Sequence, residues 1–154
     1  MAKEKQKEMK SICKNKKAYF EYNILEKHTA GIQLKGSEVK SIRASNVSIV
    51  EGYCYIQNGE IFIKGMHIAE HKEGGRNYNH VPLRDRKLLM KKKEIMKLYQ
   101  TLSEKGLTIV PLEVIITKEG FVKVEIGLAK GKKLFDKRES IKEKDIKRDL
   151  ERNL

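Results

Sequence analysis

Hydrophobic and polar positions alternate most regularly in the last third of this 154-residue chain. Residues 107–117 and 121–129 are spaced as two strands joined around Gly120, a hairpin. Val122, Val124, Ile126 and Leu128 form one apolar face, while Lys123 and Glu125 point the other way. A second hairpin is centred on Asn58-Gly59, a pair that supplies the positive φ angles of a type I′ turn. Residues 47–56 alternate well enough for its first strand, and residues 61–68 follow with Ile61 and Ile63 on one face.

Elsewhere the pattern changes. Residues 1–17 lack periodicity and are expected to be disordered in isolation. Residues 18–28 open as a strand rich in aromatic and β-branched side chains, and Gly31 and Gly36 bracket a short extended piece. Ser37 is placed to cap a short helix that buries Val39 and Ile42. Residues 71–86, with Gly74-Gly75 and Pro82, read as a loop. Asp85 can then cap a helix running to about Ser103, on which Leu88, Ile95, Tyr99 and Leu102 recur at helical spacing. From Lys130 onward only a thin stripe of Ile141, Ile146, Leu150 and Leu154 remains. Ser140 with Glu143 fits a capping box, so this segment is expected to be disordered alone and helical on a surface. The fold class is therefore mainly β with helices: an oligonucleotide-binding-like antiparallel barrel over residues 15–129, with one long and one short helix outside. Basic tails over 1–14 and 130–154 flank it.

Charge sharpens this picture. Thirty-four Lys and Arg against 21 Asp and Glu give a net charge of +13. Residues 1–17 hold +5 (seven Lys, two Glu) and residues 130–154 hold +4 (ten basic, six acidic), leaving +4 for the 112 between. Basic tails on a nearly balanced body point to a polyanionic partner, since bound phosphates release their counterions. Two cysteines, Cys13 and Cys54, make neither a disulfide framework nor a zinc ligand set, which fits a reducing cytoplasm. The start, Met1-Ala2-Lys3-Glu4-Lys5, has no signal-peptide character, and no stretch is long and apolar enough for a membrane span, so no membrane partner is expected.

Catalytic chemistry finds little support. His67-Ile68-Ala69-Glu70-His71 has the letters of a zinc-protease motif, but it ends a predicted strand, where residues four apart lie roughly 13 Å from each other. Gly131-Lys132 lacks the glycine and hydroxyl residues of a phosphate loop. No enzyme activity, metal or cofactor is expected. Basic and aromatic residues do cluster, however. Lys16 and Lys17 precede Tyr19, Phe20 and Tyr22, joining phosphate-binding charge to rings that can stack on bases. Arg84, Arg86 and Lys87 stand where loop is expected to become helix, a place to grip a phosphate, and Lys91, Lys92 and Lys93 extend that patch. In Lys130-Gly131-Lys132-Lys133-Leu134-Phe135-Asp136-Lys137-Arg138, a ring sits in a basic tether beyond the last strand, suited to an exposed base.

Four blocks carry a resemblance: Asn15-Lys16-Lys17-Ala18-Tyr19-Phe20-Glu21-Tyr22, Ala30-Gly31 through Ile42-Arg43, Arg86-Lys87-Leu88-Leu89, and Gly127-Leu128-Ala129-Lys130-Gly131-Lys132-Lys133 with Asp136-Lys137-Arg138. In this order the chain resembles the bacterial tmRNA-binding proteins of the small protein B family, from residue 15 to the end. The resemblance implies a barrel that binds the tRNA-like domain of tmRNA. Its tail would enter the decoding centre and empty mRNA channel of a stalled ribosome, and elongation factor Tu would be a partner only through charged tmRNA. It implies that Lys16, Lys17, Phe20 and Leu89 lie at the tmRNA surface, with Tyr22, Lys40 and Arg43 in the matching blocks. Gly131, Asp136, Lys137 and Arg138 would belong to the ribosome-engaging tail. Two positions depart from the family: Thr29 where Glu is common, and Lys91 where His or Asn is usual. Both are linked to tmRNA contact. Composition alone also permits a structural rRNA-binding protein.

Overall fold

A computed structural model describes residues 9–71, 79–103, 106–132 and 148. Its elements run β1 (Lys10–Lys14), α1 (Lys16–Glu21), β2 (Tyr22–Ile32), α2 (Gly36–Arg43), β3 (Val47–Ser48), β4 (Tyr53–Gln57), β5 (Glu60–Lys64), β6 (His67–Ile68), β7 (Arg86–Leu89), α3 (Lys92–Leu102), β8 (Leu107–Ile116) and β9 (Val122–Gly131). Strands β8, β4, β5, β7, β2 and β9 pair in that order, and β9 pairs back onto β8 to close the ring. One edge of β8 is shared, with β4 meeting it at Ile109 and β1 between Glu113 and Ile116. The expected antiparallel barrel is present.

Local chemistry explains the elements that were foreseen. Asn58 and Gly59 take φ values of 53° and 75°, which sets the register Ile56↔Ile61 and puts Ile61 and Ile63 inside. On β9, Val122, Val124, Ile126 and Leu128 are buried and Lys123 and Glu125 only partly so. Pro111 lies in β8 where the register shifts before Glu113, a bulge that suits a residue with no N–H to give the ladder. Ile42 of α2 and Leu98 of α3 plug the barrel from outside its wall. Each such side chain contributes about 1.5–3 kcal/mol on full burial.

Several expectations are corrected, each by a partner distant in sequence. Residues 10–14 are strand rather than disordered, because the free part of the β8 edge takes them up. Residues 16–21 are helix, where 16 and 17 were expected to be disordered and 18–21 to open a strand. Buried Asn15 accepts from the Ala18 amide at 3.1 Å and donates to the Pro111 carbonyl at 2.9 Å, capping a short turn whose Ala18 is small enough to pack against Val110 and Ala129. Residues 47–56 are broken by a turn in which the Gly52 amide donates to the Ile49 carbonyl. Lys35, not Ser37, is the N-cap of α2, and Glu38 reaches back to the Lys35 amide at 2.8 Å. Asp85 caps nothing: it accepts from the Tyr55 hydroxyl at 2.8 Å, Arg86 to Leu89 form a strand, and the long helix begins at Lys92. Leu88 is buried on that strand, while Tyr99 is 63% exposed rather than core. The last strand runs through Lys130 and Gly131, two residues beyond the expected boundary.

Candidate nucleic-acid interface

Strand β2 gives the basic residues their places. At its start Tyr22 faces Gly131, and near its end Gly31 faces Lys123 on one side and Leu89 on the other. Nine residues of strand put these two ends roughly 30 Å apart. The residues picked out by sequence therefore form two groups, not one surface.

At the Leu89 end, side chains alternate so that Ala30 and Ile32 fill the barrel while Thr29 is exposed outside. Gly31, Leu34, Val39, Leu89, Phe121 and Lys123 line a shallow depression of about 300 Å³. Gly31 keeps it open: a Cβ there would stand 3.2 Å from the Leu89 Cβ. Leu89 is 52% exposed and Phe121 67%, so the depression has an apolar centre. Arg43, at the end of α2, brings its guanidinium to the β8–β9 turn, 3.2 Å from where a Gly120 Cβ would lie. Lys40, on the same helix, and Lys91, which starts α3, are both exposed. Apolar groups that can stack or wedge, with Lys123 in the lining and Arg43 at the adjacent turn, suit a folded RNA.

Of the other basic residues expected here, Arg86 is corrected outright. Its side chain is wholly buried inside the barrel, so it cannot touch RNA. It donates Nε to Glu38 and other guanidinium N–H groups to the carbonyls of Met66 (2.7 Å) and Pro82 (3.0 Å). Arg84 donates Nε to the same buried carboxylate at 3.0 Å. Burial alone pushes the Glu38 carboxyl up, but hydrogen bonds from Arg84, the Lys35 amide and Arg86 outweigh it and hold the group below its ordinary range. Lys87 is exposed enough to contact RNA but pairs with Glu60 at 3.2 Å. The helix expected to open at these three residues does not: Arg86 and Lys87 lie on β7 and α3 begins only at Lys92, so the expected phosphate grip is absent.

At the Tyr22 end, Lys16 and Lys17 project from α1, and Lys17 pairs with Glu51 at 3.1 Å. Lys17, Tyr22, Val50, Tyr53 and Thr108 line a groove of about 390 Å³. Phe20 is half-buried on the same helix. Lys130 is exposed at the end of β9, and the Lys132 amide donates to the Glu21 carbonyl at 2.9 Å. Lys133, Phe135, Asp136, Lys137 and Arg138, together with the capping box at Ser140, lie outside the described residues.

Sequence reasoning missed Phe121, Lys123 and Tyr53. The first read as the opening of a strand and the second as its solvent face. Only the pairing of Gly31 with both Lys123 and Leu89 makes them part of a site. The His67–His71 segment opens in β6 and has no helix, and no group of three metal-ligating side chains lies together among the described residues.

A sequence model of the family described as "SmpB protein" matches residues 12–154. Among curated relatives, the SsrA-binding protein of Acholeplasma laidlawii is 55% identical over 146 residues, 95% of this chain and 97% of that one. The SsrA-binding protein of Cytophaga hutchinsonii is 55% identical over 139 residues, 90% of each chain. That of Carboxydothermus hydrogenoformans is 50% identical over 145 residues, covering 94% and 96%. A solved structure described as "tmRNA-SmpB: a journey to the center of the bacterial ribosome" superposes with a TM-score of 0.68 at 40% identity, covering 84% of this chain and 93% of that one.

Proposed function

The chain belongs to the SmpB protein family, and from that premise we propose that it binds tmRNA and brings it to stalled ribosomes for trans-translation. The observation that carries this reading is the separation of the two basic groups by the length of β2. One protein can then hold one RNA at each end. The Leu89 depression, with Arg43, Lys40, Lys91 and Lys123 around it, takes the tRNA-like domain of tmRNA. Thr29 stands beside it, opposite Glu125. The Tyr22 end, with Lys16, Lys17 and the tail that departs from Lys132, faces the small-subunit decoding centre and the mRNA channel. Elongation factor Tu joins through charged tmRNA rather than through a surface of this chain.

The role is binding, and it calls on no catalytic group. Work on the ribosome is cytoplasmic work, and no helix among the described residues is long and apolar enough to cross a membrane. Purification at high salt followed by sequencing of the retained RNA tests the reading. One dominant tmRNA is expected. Recovery of rRNA fragments alone would overturn it in favour of a structural rRNA-binding protein.

A further inference from the structure

The most heavily buried charges in the described structure touch no surface that RNA can reach. Glu38 and Arg86 are both fully buried, and Arg84 closes the group from the rim. Isolated ions are not tolerated in a core, so each is held by the others and by carbonyls. Glu38 belongs to α2, which carries Lys40 and Arg43 on its exposed side. Arg86 opens β7, which ends at Leu89. Arg84 adds a bond from its guanidinium to the Gln33 carbonyl at 3.4 Å, just beyond Gly31 and Ile32 of β2. Next to this cluster His80 bridges the Ser37 hydroxyl of α2 (2.9 Å) and the Ile68 carbonyl of β6 (2.8 Å). Every element that supplies a side chain to the Leu89 depression, apart from the β8–β9 hairpin, is tied to this one cluster.

We propose that Glu38, with Arg86 and Arg84, is a positioning clamp for the RNA site: it fixes α2 against β7 so that Arg43 and Leu89 stand at the spacing the RNA requires. This rests on the reading of the Leu89 end as the tmRNA site. A buried ion cluster is a poor stabiliser compared with apolar side chains of the same volume, because desolvation offsets most of the Coulomb attraction. Its geometry, however, is directional. A carboxylate held by two guanidiniums and an amide has one arrangement, whereas packed methylenes have several of similar energy.

That difference provides the test. In Glu38→Met/Arg86→Met the two fully buried charges are replaced together by unbranched apolar side chains, and Arg84, at the rim, keeps the Gln33 and Asp85 carbonyls and solvent. The variant is expected to melt at or above the temperature of the natural protein. Its affinity for tmRNA is nonetheless expected to fall about tenfold, as when about a tenth of the molecules hold the competent arrangement. A merely structural role predicts the opposite, because restored stability would restore affinity; native affinity in the folded double variant overturns the clamp. If the double variant does not fold, Glu38→Asp decides. It keeps the charge but retracts it by one methylene, and weakened binding by a folded protein supports the clamp, while native binding refutes it. Failure of the natural protein to bind tmRNA at all is a separate result: it removes the functional reading itself, and the clamp with it.

Discussion

At the Leu89 end of β2, exposed cations and apolar groups stand on elements tied beneath by buried charges; at the Tyr22 end, lysines stand on a six-residue helix and on the last residues of β9. The first end offers a fixed shape. Its apolar centre, Leu89 and Phe121, is held open by Gly31, and Arg43 is set at its rim. The second end offers charge, with Lys17 tied to an exposed carboxylate. Shape discriminates among folded RNAs, while loose cations bind any phosphate backbone within reach. Specificity should therefore lie at one end and ribosome engagement at the other.

The harshest test of that division removes the tail. β9 runs to Gly131 and Lys132 bonds back to Glu21, so truncation after Lys132 leaves every described strand whole. The shortened protein is expected to melt like the full chain and to bind tmRNA with close to full affinity, yet to lose peptide tagging on stalled ribosomes altogether. Tagging that survives, or tmRNA binding that does not, breaks the comparison.

Next in size is the apolar centre. Phe121→Ala and Leu89→Asp alter exposed side chains, so the barrel should fold normally. A stacking contact is worth roughly 1–3 kcal/mol, so tmRNA affinity should drop about ten- to a hundredfold in Phe121→Ala. Filter binding against the tRNA-like domain measures it. Unchanged affinity in both variants would move the site away from this end.

Smaller again are the cations at the rim. Lys123→Gln and Arg43→Gln should each lower the slope of log affinity against log salt by about one, if each meets one phosphate. Arg86→Gln should not act this way: removing a buried partner of Glu38 costs folding stability first, visible in a melt before any change in slope.

How much of this was legible beforehand follows the reach of each interaction. Signals contained within a few residues were readable: the Asn58-Gly59 turn, the alternation of β9, the helix around Ile42. The departures all depend on distant partners. Asn15 caps α1 because Pro111, 96 positions away, accepts its amide. Arg86 reads as a surface phosphate grip until Glu38, 48 positions back, draws it inside. The Leu89 end was half legible. Lys91 came from a run of charge and Leu89, Thr29, Lys40 and Arg43 from the family resemblance, but Phe121 and Lys123 became visible only through the ladder that sets Gly31 between β7 and β9.

The smallest expected effect bears on the Tyr22 end. The hydrogen bond from Lys17 to Glu51, and then the charge of Glu51, raise the pKa of Lys17, so this lysine stays protonated throughout the neutral range. pH is then no lever on it; only its partner is. Glu51→Gln removes the carboxylate that competes with phosphate for Lys17, whereas Lys17→Gln removes the cation itself. If the Tyr22 end meets rRNA through unspecific phosphate contacts, these two substitutions must act in opposite directions. Ribosome binding should strengthen slightly and become more salt-dependent in Glu51→Gln. It should weaken slightly in Lys17→Gln, with a salt slope lower by about one. Exposed ion pairs add little to folding, so neither melt should move. Affinity for free tmRNA should also be unchanged in both, because Lys17 stands at the far end of β2. A change in tmRNA affinity equal to the change in ribosome affinity would mean that one RNA spans both ends, and the division drawn between them would have to be given up.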